Sequence, residues 1–274
     1  MMNLKKIRKR QKSSLFGKYT YFLPEIDSTN DYAKRLAMGG APEGTVVLTD
    51  FQKEGKGRLD RRWESSKDVN ILMSLILRPR LQVDHVLKLT LASAVILINA
   101  LKKRVRHTKS NGIEFSVKWP NDIMANGKKI GGVLLESSLR DKEVMFVIVG
   151  MGININQDVS KLSEDVRGSA TSLYAETGKI FEREPFIADI LTLFETEYFK
   201  MERTDYSGVI RAWKRYCTHL GKEVKIESHA GEIKGVFIDI HEKGTLIYRT
   251  ASGEEKELIT GSVKHLGNGN GVND

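Results

Sequence analysis

Cysteine is almost absent. Cys217 is the only one in 274 residues, which excludes an internal disulfide and a cysteine-rich zinc site. The six histidines are scattered with no pair at ligand spacing, so no histidine-built metal site is expected. No apolar run approaches the ~20 residues of a membrane-spanning helix. The basic N-terminus is not followed by the apolar core of an export signal. These absences fit a reducing, cytoplasmic setting without a membrane partner. The sequence also lacks a Gly-Lys-Ser/Thr phosphate loop, the third glycine of a dinucleotide fingerprint and a Gly-x-Ser-x-Gly elbow. The commonest nucleotide-binding and hydrolase signatures are therefore excluded.

What is present is an ordinary globular composition, 40% hydrophobic and 29% charged, long enough for one large domain plus a small one. The formal charge of +9 requires a polyanionic partner to be weighed. Much of the excess is local. Lys5, Lys6, Arg8, Lys9, Arg10 and Lys12 are relieved only by Leu4 and Ile7, a composition expected to remain a solvated, disordered tail over residues 1–17. Lys102, Lys103, Arg104, Arg106 and Lys109 close a predicted helix, where cations favour the helix dipole and need no ligand. Base-reading aromatics at module spacing are missing, so specific DNA binding is not expected.

The densest stretch is Gln52-Lys53-Glu54-Gly55-Lys56-Gly57-Arg58-Leu59-Asp60-Arg61-Arg62-Trp63. Its two glycines let the backbone turn close to a ligand. Arginine grips phosphate or carboxylate by paired hydrogen bonds, and an indole covers a flat ring. Residues 44–51 and 70–77 on either side read as strands, so the stretch is a long loop between core strands. Upstream, a short strand from Tyr19 to Pro24 precedes Ser28-Thr29-Asn30-Asp31, which opens a helix that Gly39-Gly40 stops. Ser28 and Thr29 are caps, ligand contacts, or both.

Asp84 begins a helix of roughly 20 residues. The strand from Ile113 to Lys118 then runs into Trp119-Pro120-Asn121-Asp122. Asn126-Gly127 signals a two-residue type I′ hairpin. In that register Lys129 lies opposite Met124 and Gly131 opposite Asp122, so Lys129 and Asp122 share a face as diagonal neighbours. Lys129 is then either an exposed hairpin charge or an anion clamp. A strand from Val144 to Val149 ends in Gly150-Met151-Gly152-Ile153-Asn154. Ala170 to Leu173 reads as a capped helix start, and Pro185 to Met201 and Tyr206 to Tyr216 as helices. After Gly221, short β segments separated by turns suggest a small β-barrel of about 50 residues. Residues 268–274 read as a flexible tail.

Four motifs thus stand in order: Ser28-Thr29-Asn30, Gln52 with Gly55-Lys56-Gly57-Arg58 and Trp63, Lys118-Trp119-Pro120-Asn121-Asp122, and Lys129-Ile130-Gly131-Gly132. In this combination the chain resembles the biotin–protein ligases from about Phe22 to Leu266. The resemblance implies an α+β fold. A mixed sheet with helices, like the catalytic domain of class II aminoacyl-tRNA synthetases and biotin ligases, would span residues 18–217. A C-terminal SH3-like β-barrel would span 218–267. It also implies the reaction: ATP and Mg2+ activate biotin as biotinyl-5′-AMP, and a lysine of a biotin carboxyl carrier domain, in acetyl-CoA carboxylase or a related enzyme, takes the biotinyl group. A homodimer is implied as well. Lipoate–protein ligase, which shares fold and chemistry, is the nearest alternative.

The resemblance also assigns residues. Ser28, Thr29, Asn30 and Gln52 would bind biotin, with Lys56, Gly57, Arg58, Lys129, Gly131 and Gly132 around its carboxylate and chain. Arg58, Arg61, Trp63, Lys118, Asn121 and Asn154 would face ATP or the adenylate. Lys129, Arg58 and Asp122 would serve catalysis, with Asp122 placing the metal or the attacking amine. Two departures stand out: Lys56 where the family commonly has Arg, and Leu59-Asp60 before Arg61. Some members carry an N-terminal DNA-binding winged helix. Only some 17 residues precede the first strand here, so the short, ligase-only form is expected.

Overall fold

Val46 to Thr49 and Ile71 to Leu77 are apolar at nearly every position because both of their faces are covered. The computed structural model describes residues 2–106, 112–141, 143–204, 206, 208–228 and 231–265. It begins with α1 (Leu4–Arg10), β1 (Thr20–Leu23), α2 (Thr29–Met38), β2 (Val46–Thr49), β3 (Ile71–Leu77) and α3 (Val86–Val105). There follow β4 (Phe115–Lys118), β5 (Asp122–Ala125), β6 (Lys128–Arg140) and β7 (Glu143–Ile153). Helices α4 (Glu164–Arg167), α5 (Leu173–Thr177), α6 (Glu184–Arg203) and α7 (Val209–Lys214) come next. The last part is β8 (Glu223–Ser228), β9 (Gly231–Ile240), β10 (Leu246–Arg249), β11 (Glu255–Leu258) and β12 (Ser262–His265). A seven-stranded mixed sheet runs β1-β2-β3-β7-β6-β5-β4, and a five-stranded antiparallel sheet runs β11-β10-β9-β8-β12. Only β1 and β2 pair in parallel in the larger sheet. The expected α+β catalytic fold with a small C-terminal β module is what forms.

The two faces of the large sheet differ. Val46, Leu48, Ile71, Met73, Leu75, Val147 and Val149 join α3 and α6 in the main core. Val47, Ile76, Phe146 and Ile148 point the other way, onto Ala33 and Ala37 of α2. Helix α2 contacts β2, β3 and β7 alone among the strands in any number. The rest of that face, toward β6 and β5, is left for something else to cover. None of the helices among the described residues is long and apolar enough to cross a membrane.

The N-terminal segment departs from its composition. Residues 4–10 form a docked helix rather than a solvated tail. Asn3 caps it by accepting the Lys6 N–H, and Ile7 is buried where α1 packs on α6. Counting charges missed that Leu4 and Ile7 sit three apart, on one helical face. Backbone N–H donors finish the attachment. Asn3 N–H donates to Glu184 (3.0 Å) and Lys12 N–H to Thr192 Oγ1 (3.0 Å). The single Glu195 carboxylate accepts from the N–H groups of Ser14, Leu15 and Phe16 at 2.7–2.8 Å. Lys109 and the tail 268–274 lie outside the described residues.

Burial pushes the Glu195 carboxyl up, but its three backbone hydrogen bonds prevail and hold it below the ordinary carboxylate range. A depressed folded value contributes stability that is fully present above the unfolded pKa, near 4.5, and is lost as pH falls through the folded one. Thermal denaturation should show wild type losing stability across that acid window. Glu195→Gln is expected to be less stable at neutral pH and to lose less on acidification.

Candidate active site

The uncovered half of the sheet face is floored by glycine. Gly132 on β6 pairs with Gly152 on β7, and Gly150 with Ser74 on β3. Each absence of a side chain admits a specific group. A Cβ on Gly150 would fall 2.2 Å from Asn30 Oδ1, and one on Gly152 2.6 Å from the Trp63 indole. Over this floor lies a cavity of about 970 Å3, lined by the start of α2, the 52–63 loop, the β5–β6 hairpin, residues 162–170 and Ser262 of the smaller sheet.

At one end the polar groups are neutral. Ser28 precedes α2, but its side chain makes no capping bond, so the hydroxyl is not consumed by the helix. Thr29 donates from both N–H and Oγ1 to Gln52 Oε1, at 2.8 and 3.0 Å. That fixes the Gln52 amide with its NH2 group turned away from α2. Behind them Ser74 Oγ lies 2.8 Å from Thr29 Oγ1 and 2.6 Å from Asn30 Oδ1, and Asn30 Nδ2 donates to Glu136 at 2.6 Å. The expected ligand contact from Asn30 is therefore redirected: its amide is spent bracing the wall.

At the other end the groups are charged. Asn126 and Gly127 both have positive φ, the type I′ turn expected of that pair. Lys129 lies opposite Met124 as expected, but a bulge between Met124 and Ile123 sets Gly132, rather than Gly131, opposite Asp122. Ile130 is the extra residue. Gly132 consequently faces the cavity, while a Cβ on Gly131 would meet Gly152 O and the Ile123 side chain. Lys129 Nζ contacts Asp122 Oδ1 at 2.6 Å and Lys118 Nζ contacts Oδ2 at 3.1 Å. Burial pushes the Asp122 carboxyl up, yet Lys129 and Lys118 hold it below the usual range. Both oxygens of this ionised carboxylate are occupied. Asp122 thus holds Lys118 and Lys129 in place at this end of the cavity. Among the described residues no cluster of three His, Cys, Asp or Glu side chains is poised for a metal ion.

The 52–63 loop folds as a small antiparallel turn. Trp63 N–H donates to Gly55 O (2.8 Å) and Gly57 N–H to Arg61 O (2.6 Å), while Leu59 and Asp60 take positive φ at its tip. Three of its cations reach separate anchors. Lys56 reaches away to Asp31 of α2 at 2.6 Å. Arg58 donates to Asn121 Oδ1, Gly261 O and Thr260 Oγ1 at 3.3, 3.1 and 3.0 Å. Arg61 pairs with Glu227 at 2.8 Å. Burial lowers the Arg58 guanidinium below its ordinary value, with Asp122 opposing that shift. The Trp63 ring lies on Gly152 and Gly132, with Lys129 Nζ 5.7 Å from its centroid. Asn154 lines the cavity but its amide is engaged by Thr171 O (3.0 Å) and Asn70 (3.3 Å), so it braces rather than reads.

Sequence reasoning missed Ser74, Glu136 and residues 162–170. Ser74 had a signal, a lone hydroxyl in the apolar run Ile71-Leu-Met-Ser-Leu-Ile-Leu77. Residues 162–170 had none, because they join the site through backbone bonds of Lys129 to Ser169 and Thr171.

A mixed sheet whose bare floor faces both a cation-bearing loop and a lysine hairpin defines a class. The model of the biotin/lipoate A/B protein ligase family matches residues 22–154, and that of the biotin protein ligase C-terminal domain matches 219–266. The bifunctional ligase/repressor BirA of Bacillus spizizenii is 34% identical over 250 residues, covering 91% of this chain and 75% of its own. The biotin–[acetyl-CoA-carboxylase] ligase of Paracoccus denitrificans is 29% identical, covering 85% and 95%. The biotin protein ligase of Aquifex aeolicus, solved in complex with biotin and ATP, superposes with a TM-score of 0.74 at 31% identity, covering 90% and 98%. The chain belongs to the biotin protein ligase family.

Gly152→Ala drives a methyl into the indole, so Trp63 is expected to leave the floor. Trp119 and Trp213 are fully buried, and a red shift of tryptophan emission on this substitution would report Trp63 alone. An unshifted spectrum would mean that the indole is not seated there.

Proposed function

We propose that the chain condenses biotin with ATP to biotinyl-5′-AMP and transfers the biotinyl group to a lysine of a carboxyl carrier domain. The observation that carries this reading is the division of one cavity. Neutral donors and acceptors (Ser28, Thr29, Gln52) stand at one end, and fixed cations around Lys129 and the loop at the other. That arrangement suits a ligand with an uncharged polar ring and a carboxylate tail. The curated relatives named for acetyl-CoA carboxylase support that class of acceptor. Lipoate has no ring amide for Thr29 and Gln52 to engage, and competition between the two acids in pyrophosphate exchange separates the readings.

In the first step a carboxylate oxygen attacks the α-phosphorus, an O–P bond forms, and pyrophosphate leaves with the electrons of the broken P–O bond. Two anions must approach, so cations are needed where charge accumulates. Lys129 serves there, held against the site by Asp122. Arg58 and Arg61, on the loop, would exchange their present acceptors for phosphate oxygens, and Trp63 would cover the adenylate. In the second step the lysine amine attacks the acyl carbon, AMP departs, and a proton is lost. Magnesium would enter as the counter-ion of the nucleotide, since no cluster of three metal-ligating side chains stands among the described residues.

One cation ~4 Å from a developing charge contributes about 4 kcal/mol at an effective dielectric near 20, less where solvent reaches. Lys129→Ala is therefore expected to slow biotin-dependent pyrophosphate exchange roughly 10²–10³-fold, and unchanged exchange would sink the assignment. Arg58→Gly is expected to form the adenylate but release it, labelling bystander lysines; the adenylate off-rate measures this. Homodimerisation belongs to the same reading. Strand β1 is an outer strand with Tyr21 exposed on it and Tyr19 exposed just ahead of it, whereas the opposite edge strand β4 is partly covered at Val117 by Cys217. Light scattering with and without biotin and ATP is expected to show a dimer that Tyr21→Lys disrupts.

A further inference from the structure

We propose that the outer surface around α6 holds a site for the phosphate backbone of a nucleic-acid duplex, formed by the C-terminal turns of α1 and α3, which both pack on α6. The N-terminal segment runs along α6 in the same direction, with Asn3 at Glu184, Lys12 at Thr192 and Ser14 at Glu195. The last turn of α1 and Lys12 are therefore level with residues 189–192. From the other side, Lys103 (2.7 Å) and Arg104 of α3 both hold Asp189. Asp189 and Thr192 are three residues apart, about 60° around the helix and ~4.5 Å along it. Two basic helix ends thus converge on adjacent flanks of one helix.

The local acids are already engaged. Glu182 pairs with Lys6, Glu184 accepts Asn3 N–H, Glu195 accepts three backbone N–H groups, and Asp189 is buried under Lys103 and Arg104. Arg8, Lys9, Arg10, Lys12, Lys102 and Arg106 are exposed, and none has an ion-pair partner among the described residues. This leaves a fixed array of cations on a rigid support, the electrostatic footprint of a polyanion site.

Two other occupants fit less well. A membrane-bound amphipathic helix needs a free apolar face, and that of α1 is spent on α6 through Ile7. Single-stranded nucleic acid needs aromatic stacking platforms. The Tyr216 ring near this surface is covered by Lys102 at 4.5 Å, and none of the large exposed hydrophobic residues belongs to α1, α3 or α6. What remains is sequence-independent contact with backbone phosphates. None of these residues lines the catalytic cavity, so the site stands apart from the ligase chemistry.

Fluorescence anisotropy of the full chain with a random-sequence 20-base-pair DNA duplex tests this across a salt series. The expected result is micromolar-range binding at about 50 mM salt that weakens with a log–log slope of roughly −4, as for four or five phosphates. Lys9→Glu combined with Lys102→Glu is expected to bind at least tenfold more weakly, with the slope reduced by about 2. Lys222→Glu with Lys234→Glu, the same change in net charge on exposed positions of the smaller sheet, is expected to retain binding. Arg8→Gln with Arg106→Gln adds no new charge and repeats the test should reversal disturb α1. No duplex binding at low salt would overturn the proposal. So would equal losses in both charge-reversal variants, or displacement of the duplex by anionic phospholipid vesicles.

Discussion

A buried carboxylate sets the geometry of this site. Asp122 sits on the inner hairpin with little access to water, and an unpaired charge there would be costly. Its two oxygens fix two ammonium groups, Lys118 from the preceding strand and Lys129 from across the turn. Removing either lysine leaves the carboxylate half compensated. The hairpin, the segment joining β4 to β5 and the head of the cavity are thereby positioned relative to one another. The bulge at Ile130 belongs to the same constraint, because it brings Gly132 rather than a larger side chain beside the Lys129 stem.

The second constraint is a surface without side chains. Helix α2 covers half of one sheet face with Ala33 and Ala37. The other half is Gly132, Gly150 and Gly152, and onto it fold an indole and an asparagine amide at separations that a Cβ would forbid. Close approach of this kind is a use of glycine that does not depend on unusual φ. It lets a loop far in sequence from β7 become part of the wall.

Much of this was legible in the sequence, and the reasons are local. Strands β1 to β3, the capped α5 and the Asn126-Gly127 hairpin follow from patterning and turn chemistry that act over a few residues. The pairing of Lys129 with Met124 was readable from the turn alone, whereas the shift at Asp122 was not, because a bulge is decided by packing on the neighbouring strand. Side-chain roles were less legible still. Asn30 and Asn154 look like ligand readers in sequence, but Ser74, Glu136, Asn70 and Thr171 claim their amides across separations of 17 to 106 residues. The docked α1 escaped a composition argument because two apolar residues at the right spacing outweigh six cations that can remain in water.

The anchoring of Arg58 also bears on when the site comes into being. Its guanidinium waits on Thr260 and Gly261, more than two hundred positions downstream. At ribosomal rates of 5–20 residues per second, that interval is on the order of 10–40 s. Throughout it the large sheet can assemble while Arg58 lacks two of its acceptors. A nascent chain would thus carry its cavity before its loop gains the resting anchors of Arg58.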